Sequence, residues 1–273
     1  MSDKPIIENK NSQVENTVLQ LAKLAKQRGL DALLQKDKVP STWSQRAQAR
    51  AIVEKATQQQ NLERIIYFSA QKTSEQDAGS EPDADWMTEF LHLASNTQVK
   101  SMQMLWADIL SQELSTPGSF SVKALRTLKL MTQREAKWFQ SACELSSTIG
   151  GEANNKIITG IVRPASNLGL VRAKLDKISL GLHRMPYHHI LQLTELGLLF
   201  DRELEIRPSA HHDTPLIHGE AHYSLRPRFK GCKLIYHRFT PIGDELAQLI
   251  NKQALSSYQE QLEQLLHNYF ERN

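Results

Sequence analysis

The sequence predicts a mainly α protein: a helical bundle followed by a small α+β domain and C-terminal helices. Three observations carry this reading. Apolar residues recur at helical spacing along most of the chain. Ser, Thr, Asp and Pro-Gly signals cut that pattern into segments of ordinary helix length. Residues 203–207 and 233–239 are the two clearly β-prone stretches, and both lie late in the chain.

In order along the chain, residues 12–28 place Val14, Val18, Leu21 and Ala25 on one face, with Lys23, Lys26, Gln27 and Arg28 largely elsewhere and Gly29 as a stop. After Pro40, Ser41 or Thr42 can cap a long, mostly polar helix to about Ala70, apolar around Leu62, Ile65, Ile66 and Phe68. Residues 73–83 hold no large apolar side chain, which makes them a linker. Asp85 can cap a helix carrying Trp86, Phe90, Leu91 and Leu93, and a second carries Val99, Met102, Trp106, Ile109, Leu110 and Leu114. Pro117-Gly118 breaks the chain, Ser119 or Ser121 starts a short helix, and Thr132 with Glu135 fits a capping box for a helix to about Ser147. Gly150-Gly151 marks a boundary, after which Ile157, Ile158, Ile161 and Val162 suggest a strand or a buried turn. Pro186 opens a helix that Gly197 ends, and Thr240-Pro241 starts the helical C-terminus, with a break expected near Ser256-Ser257. The domains expected are a helical arm (1–72), a linker (73–84), a bundle centred on Trp86, Trp106 and Trp138 (85–149), and an α+β domain with a C-terminal helix (150–273).

The composition narrows the function classes. The 273 residues are 40% hydrophobic, enough for a real core. No run approaches the roughly 18–20 apolar residues of a spanning helix, and the first residues lack a signal pattern, so a cytoplasmic protein with no membrane contact is expected. The two cysteines, Cys143 and Cys232, have no CxxC context, which excludes a disulfide framework and a four-thiolate zinc site. Net charge is only +3, yet residues 156–238 hold thirteen basic against seven acidic side chains.

The segment from Asp85-Trp86 to Phe139 resembles a bacterial family of conserved hypothetical proteins known only as a domain of unknown function. The resemblance rests on Leu105-Trp106-Ala107-Asp108-Ile109-Leu110, Glu113, Pro117-Gly118-Ser119-Phe120-Ser121 and Leu125 to Leu128, and extends upstream to Asn61-Leu62-Glu63-Arg64-Ile65-Ile66. It implies kinship and no activity. Further on, His189-Ile190-Leu191-Gln192-Leu193-Thr194-Glu195-Leu196-Gly197-Leu198-Leu199, the β-prone stretches and Phe239-Thr240-Pro241-Ile242-Gly243-Asp244-Glu245-Leu246 resemble winged-helix grammar: recognition helix, wing, closing helix.

That resemblance implies candidate nucleic-acid contacts at Arg184, His188, His189 and Gln192 on and beside the helix, and at Arg226, Arg228, Lys230 and Lys233 where a wing would lie. Tyr187 accompanies them on the helix. The helix offers little base-reading chemistry, so a solvated wing on an interaction module competes with this reading. His211, His212, His218 and His222 invite a metal reading, which Pro215 and Gly219 oppose by denying the last two a shared helical face. Glu113, Ser119 and Ser121 lack a nucleophile elbow or a nearby histidine, and helix capping accounts for the serines. No phosphate-cradling glycine motif occurs, so no cofactor is expected. The expected function is a non-enzymatic interaction or regulatory module acting through helical surfaces, by self-association or with a protein partner. The alternative is a winged-helix nucleic-acid binder.

Overall fold

In the computed structural model, residues 6–35, 41–72, 81–165 and 172–271 are described, with side chains from residue 16 onward. The chain divides into two compact units, Met1–Arg64 and Ile65–Asn273. Most of the expected linker lies outside the described residues.

The first unit holds α1 (Ile6–Gln27) and most of α2 (Trp43–Ala70). At the start of α2, the Thr42 hydroxyl accepts from Gln45 N–H at 3.3 Å, while the Gln45 side chain accepts from Thr42 N–H at 2.8 Å. This reciprocal cap satisfies two donors that would otherwise be orphaned.

The second unit opens with four helices, α3 (Ala84–Ala94), α4 (Lys100–Ser115), α5 (Val122–Leu130) and α6 (Gln133–Glu144). Asp83, two residues before the expected Asp85, caps α3 by accepting from Asp85 and Trp86 N–H. Trp86 stacks on Phe90 with centroids 5.2 Å apart, and Phe90 meets the Trp106 ring edge-on at 5.5 Å. The indole N–H of Trp86 donates to Phe120 O at 2.7 Å, so its apolar body packs while its polar handle is satisfied. The buried Glu113 carboxylate accepts from Gly118 N–H at 2.6 Å and from Phe120 N–H at 3.0 Å, fixing the turn between α4 and α5. Ser121 caps α5 and Thr132 with Glu135 forms the capping box of α6, as their spacing predicts.

After α6 the structure departs from the mainly α expectation. Strands β1 (Ser146–Ile149), β2 (Lys156–Arg163), β3 (Lys174–Lys177), β4 (Leu204–Ile206), β5 (Thr214–His218), β6 (Ala221–Leu225) and β7 (Lys233–Arg238) form a seven-stranded sheet in which every pairing is antiparallel. The order is β4-β7-β2-β1-β5-β6, with β3 also on β2. The protein is therefore α+β. The two β-prone stretches at 203–207 and 233–239 are β4 and β7, and the expected strand or buried turn at 157–162 falls in β2, whose first six positions are buried without period-two alternation. β1 and β3, polar and short, and the β5–β6 hairpin carry no such signal. The expected boundary at 149/150 falls in the turn joining the paired strands β1 and β2.

A 3-10 turn (Leu180–His183), α7 (Tyr187–Glu195), α8 (Pro241–Ala247) and α9 (Ser256–Tyr269) complete the unit. The expected break falls between α8 and α9, and Gly197, at φ 72°, ends α7. Tyr258 on α9 is fully buried and donates its hydroxyl to Ile158 O at 2.9 Å, seating the helix on β2. Glu245 on α8 accepts both the N–H and the hydroxyl of Ser121, at 2.7 and 2.8 Å. Asn155, beside β2, donates its backbone and side-chain N–H to Asp244 at 2.8 and 2.7 Å. Burial pushes the Asp244 carboxyl above the usual carboxylate range, against these hydrogen bonds and the nearby Arg238.

Candidate interaction surfaces

Three surfaces follow from the sequence: the apolar face of α1, the exposed side of α7, and the basic residues around β6 and β7. On α1, Val18, Leu19, Leu21 and Leu24 are each more than half exposed, and Leu21 is 59% accessible. Val18, Leu21 and Ala25 follow a three-then-four spacing, which puts them in one stripe of a helix. Leu30, Leu33 and Leu34, just beyond, are also exposed. The Val14 side chain, expected on the same face, lies outside the described side chains.

On α7, Ile190 and Leu193 turn inward, while Tyr187, His188 and Leu191 are exposed. The histidines proposed to read bases are engaged within the protein. His189 stacks on Trp138 of α6 at 4.4 Å and 24°, and His188 approaches the same indole edge-on at 6.1 Å. Trp138 is thus a half-buried platform for α7 and does not sit in the Trp86–Trp106 cluster. Burial holds the His189 imidazole below the usual histidine range, reinforced by His188. Gln192 donates to Glu195 at 3.3 Å. Arg184, just after the 3-10 turn, is exposed and has φ 62°, the one positive value among described non-glycine residues.

The cations expected on a wing divide into two groups. Arg226 pairs with Asp213 at 3.0 Å and lies 3.9 Å from Glu271, and Lys233 pairs with Glu205 at 2.5 Å. Lys230 is exposed and has no carboxylate partner among the described residues, while Arg228 donates through Nε to Phe270 O at 2.8 Å. The structure brings Arg228 and Lys230 together with two cations not singled out from sequence. The Arg163 guanidinium lies 4.9 Å above the Phe229 ring, that ring is 6.1 Å from Tyr269, and Lys174 Nζ is 6.0 Å over Tyr269. The signal available in sequence was the aromatic between bases in Arg226-Pro227-Arg228-Phe229-Lys230.

The histidines proposed as metal ligands separate. His218 ends β5, is fully buried, and lies near the Ser147 hydroxyl and the Ser146 carbonyl, both at 3.1 Å. The carbonyl can only accept, so Nδ1 carries the proton. His222 is on β6 and exposed, with Ile217 as its cross-strand partner. His211 and His212 lie in the loop before β5, where their backbone N–H groups donate to Ser209. Among the described residues, no three His, Cys, Asp or Glu side chains are grouped to hold a metal ion. Glu113, Ser119 and Ser121 are occupied in the α4–α5 turn and the α5 cap. Both cysteines are buried thiols, and desolvation pushes Cys143 up to about 12.

Two open grooves mark the second unit. One, of about 460 Å³, runs between β6 and α9. The other, of about 600 Å³, lies beside Ser146, Ser147 and Lys252, whose amine is engaged by Asn155 at 2.5 Å. No helix among the described residues is long and apolar enough to cross a membrane.

Comparison with curated proteins and with solved structures gives no match. A family model matches residues 45–263, which takes in the second unit from its first residue to most of α9. The chain belongs to the family described as "Protein of unknown function (DUF2806)".

Proposed function

We propose that the chain works by association and not by catalysis, with the apolar face of α1 pairing with the same face of a second copy. The observation that carries this is the exposure of Val18, Leu19, Leu21 and Leu24 on one helix. The three-four spacing of Val18, Leu21 and Ala25 supports a second helix as occupant, because that spacing keeps a seam facing a partner helix. Burying a Val or Leu side chain contributes about 1.5–3 kcal/mol, against roughly 4–15 kcal/mol for the lost freedom of association. Val18 and Leu21, the large side chains of the stripe, therefore contribute about 6–12 kcal/mol over two copies, which predicts a weak, reversible complex.

Sedimentation velocity from about 1 to about 100 μM tests this, since mass action makes association concentration-dependent. The wild-type chain should shift from monomer to dimer, and Val18→Glu/Leu21→Glu should remain monomeric with an unchanged circular dichroism spectrum. A wild-type chain that stays monomeric throughout, or a double variant that still dimerises, would sink the proposal.

A second reading takes α7, β4, β7 and α8 as a winged-helix-like unit. Their order and the antiparallel β4–β7 pairing support it. The β5–β6 hairpin inserted between those strands, and joined to β1, departs from the simple pattern.

A further inference from the structure

The turn between β6 and β7 is held firmly. Arg228 N–H donates to Tyr269 O and Glu271 N–H to Arg226 O, each at 2.9 Å, so the turn is pinned to the end of α9. Pro227 and Phe270 form a β-bridge, and Gly231, at φ 80°, lies so close to Pro164 that an added Cβ would come within 3.0 Å of it. Phe229 projects from this turn with 36% of its surface exposed.

Arg163, Arg228 and Lys230 adjoin the ring, and Lys174 lies beyond it, over Tyr269. The Asp176 carboxylate lies beside this group and already accepts from Lys174 at 2.8 Å and from the Tyr269 hydroxyl at 2.5 Å. Glu271, whose N–H donates to Arg226 O, adjoins the turn with its carboxylate 3.9 Å from Arg226. Arg163, Arg228 and Lys230 form no salt bridge among the described residues, Asp176 lying close enough only to feel the Arg163 charge, and Arg163 Nε has no hydrogen-bond partner there at all. Arg226 and Lys233, close by in sequence, are neutralised by Asp213 and Glu205. The positive field is thus concentrated around an exposed aromatic ring.

We propose that this patch binds single-stranded nucleic acid, with Arg163, Arg228 and Lys230 taking phosphates and Phe229 stacking on an unpaired base. The chemistry selects this ligand because the site offers two different kinds of contact. Cations alone would serve a duplex backbone or free phosphate equally well, but a ring can stack only on a base that is free of its own stack. The pinned turn reduces the ordering cost on binding. The proposal is independent of the α1 interface.

The test is fluorescence anisotropy of the full chain with labelled homopolymers of about 15 nucleotides, rU and dT, and with a duplex of equal length. Three phosphate contacts predict a log K against log salt slope of about −2 for single strands. Phe229→Ala and Phe229→Leu should each weaken binding about ten-fold, the latter keeping apolar bulk while removing the stacking face. Lys230→Glu, at an exposed position, should weaken it further, whereas Lys233→Glu should leave it unchanged. Thermal melts confirm that each variant is folded. The proposal is overturned if no oligonucleotide binds at about 50 mM salt. It is equally overturned if the duplex binds as tightly as the single strand, or if the Phe229 variants bind as well as the wild type.

Discussion

Replacing Glu113 by alanine should destabilise the second unit more than any exposed substitution. The carboxylate is buried, with 3% of the residue accessible, and accepts two backbone N–H groups, from Gly118 and Phe120. Hydrogen bonds to a charged group contribute about 1.5–3 kcal/mol each, and removing the acceptor leaves two donors unsatisfied inside the fold. A loss of about 3–5 kcal/mol follows, and for a unit of this size about 2–4 °C of Tm accompanies each kcal/mol, so the midpoint should fall by about 6–20 °C. Glu113→Gln should cost roughly half as much, because one amide oxygen still accepts while the NH2 group faces a donor. Glu260→Ala, exposed on α9, should stay within about 0.5 kcal/mol of wild type. Thermal unfolding followed by tryptophan fluorescence suits the assay, because Trp86 donates to Phe120 O beside the turn. If Glu113→Ala melts within about 2 °C of wild type, the turn does not depend on the carboxylate and the reasoning fails.

Acidification should destabilise the protein before its carboxylates titrate. Burial holds His189, His218 and His237 below the usual histidine range. The stabilisation from a depressed folded-state histidine is present above the unfolded pKa and is lost as pH falls toward the folded value, so Tm should drop between about pH 7.5 and 5.5. A flat or rising Tm over that window would contradict this. Gly243→Ala should cost about 3 kcal/mol or more, because an added Cβ would lie 2.2 Å from Leu198 O, and α8 would have to move away from that backbone. Chemical denaturation reads the loss directly, and a midpoint equal to wild type would mean that the helix relocates freely.

The helical part of the fold was legible where signals are local. Thr132 with Glu135, Ser121, and Thr240-Pro241 are short-range caps, and each does what its spacing implies. The sheet was legible only in part: the stretches at 203–207 and 233–239 are β4 and β7 and the isoleucines at 157–161 fall in β2, whereas the remaining strands are recognisable only by their neighbours. The residues Ser-Ser-Thr-Ile of β1 become a strand by lying between β2 and β5, and Lys174 to Lys177 by lying on β2. Lys156 reads as a surface residue, yet it is fully buried, with its amine held by Glu152 and Asn154 and set over the Tyr236 ring. The candidate surfaces divide in the same way. Exposure of the α1 stripe accords with its amphipathic pattern. The neutralisation of Arg226 and Lys233 depends on Asp213, Glu271 and Glu205, which sequence order does not place beside them.

The Ser121–Glu245 contact bears on how the molecule is made. The two residues are 124 apart, and β2 likewise waits for β7 to supply its partner on one side. During synthesis, α3 to α6 and the β1–β2 hairpin emerge long before the segments that complete them. Such non-local pairing slows folding and leaves strand edges open in the interim. A nascent chain ending before Lys233 would present β2 with a bare edge, a natural handle for holding chaperones and a liability for aggregation. Fragments truncated before that point are poor starting material for domain dissection, whereas removal of residues before Ile65 leaves every one of these late-closing contacts within the remaining chain.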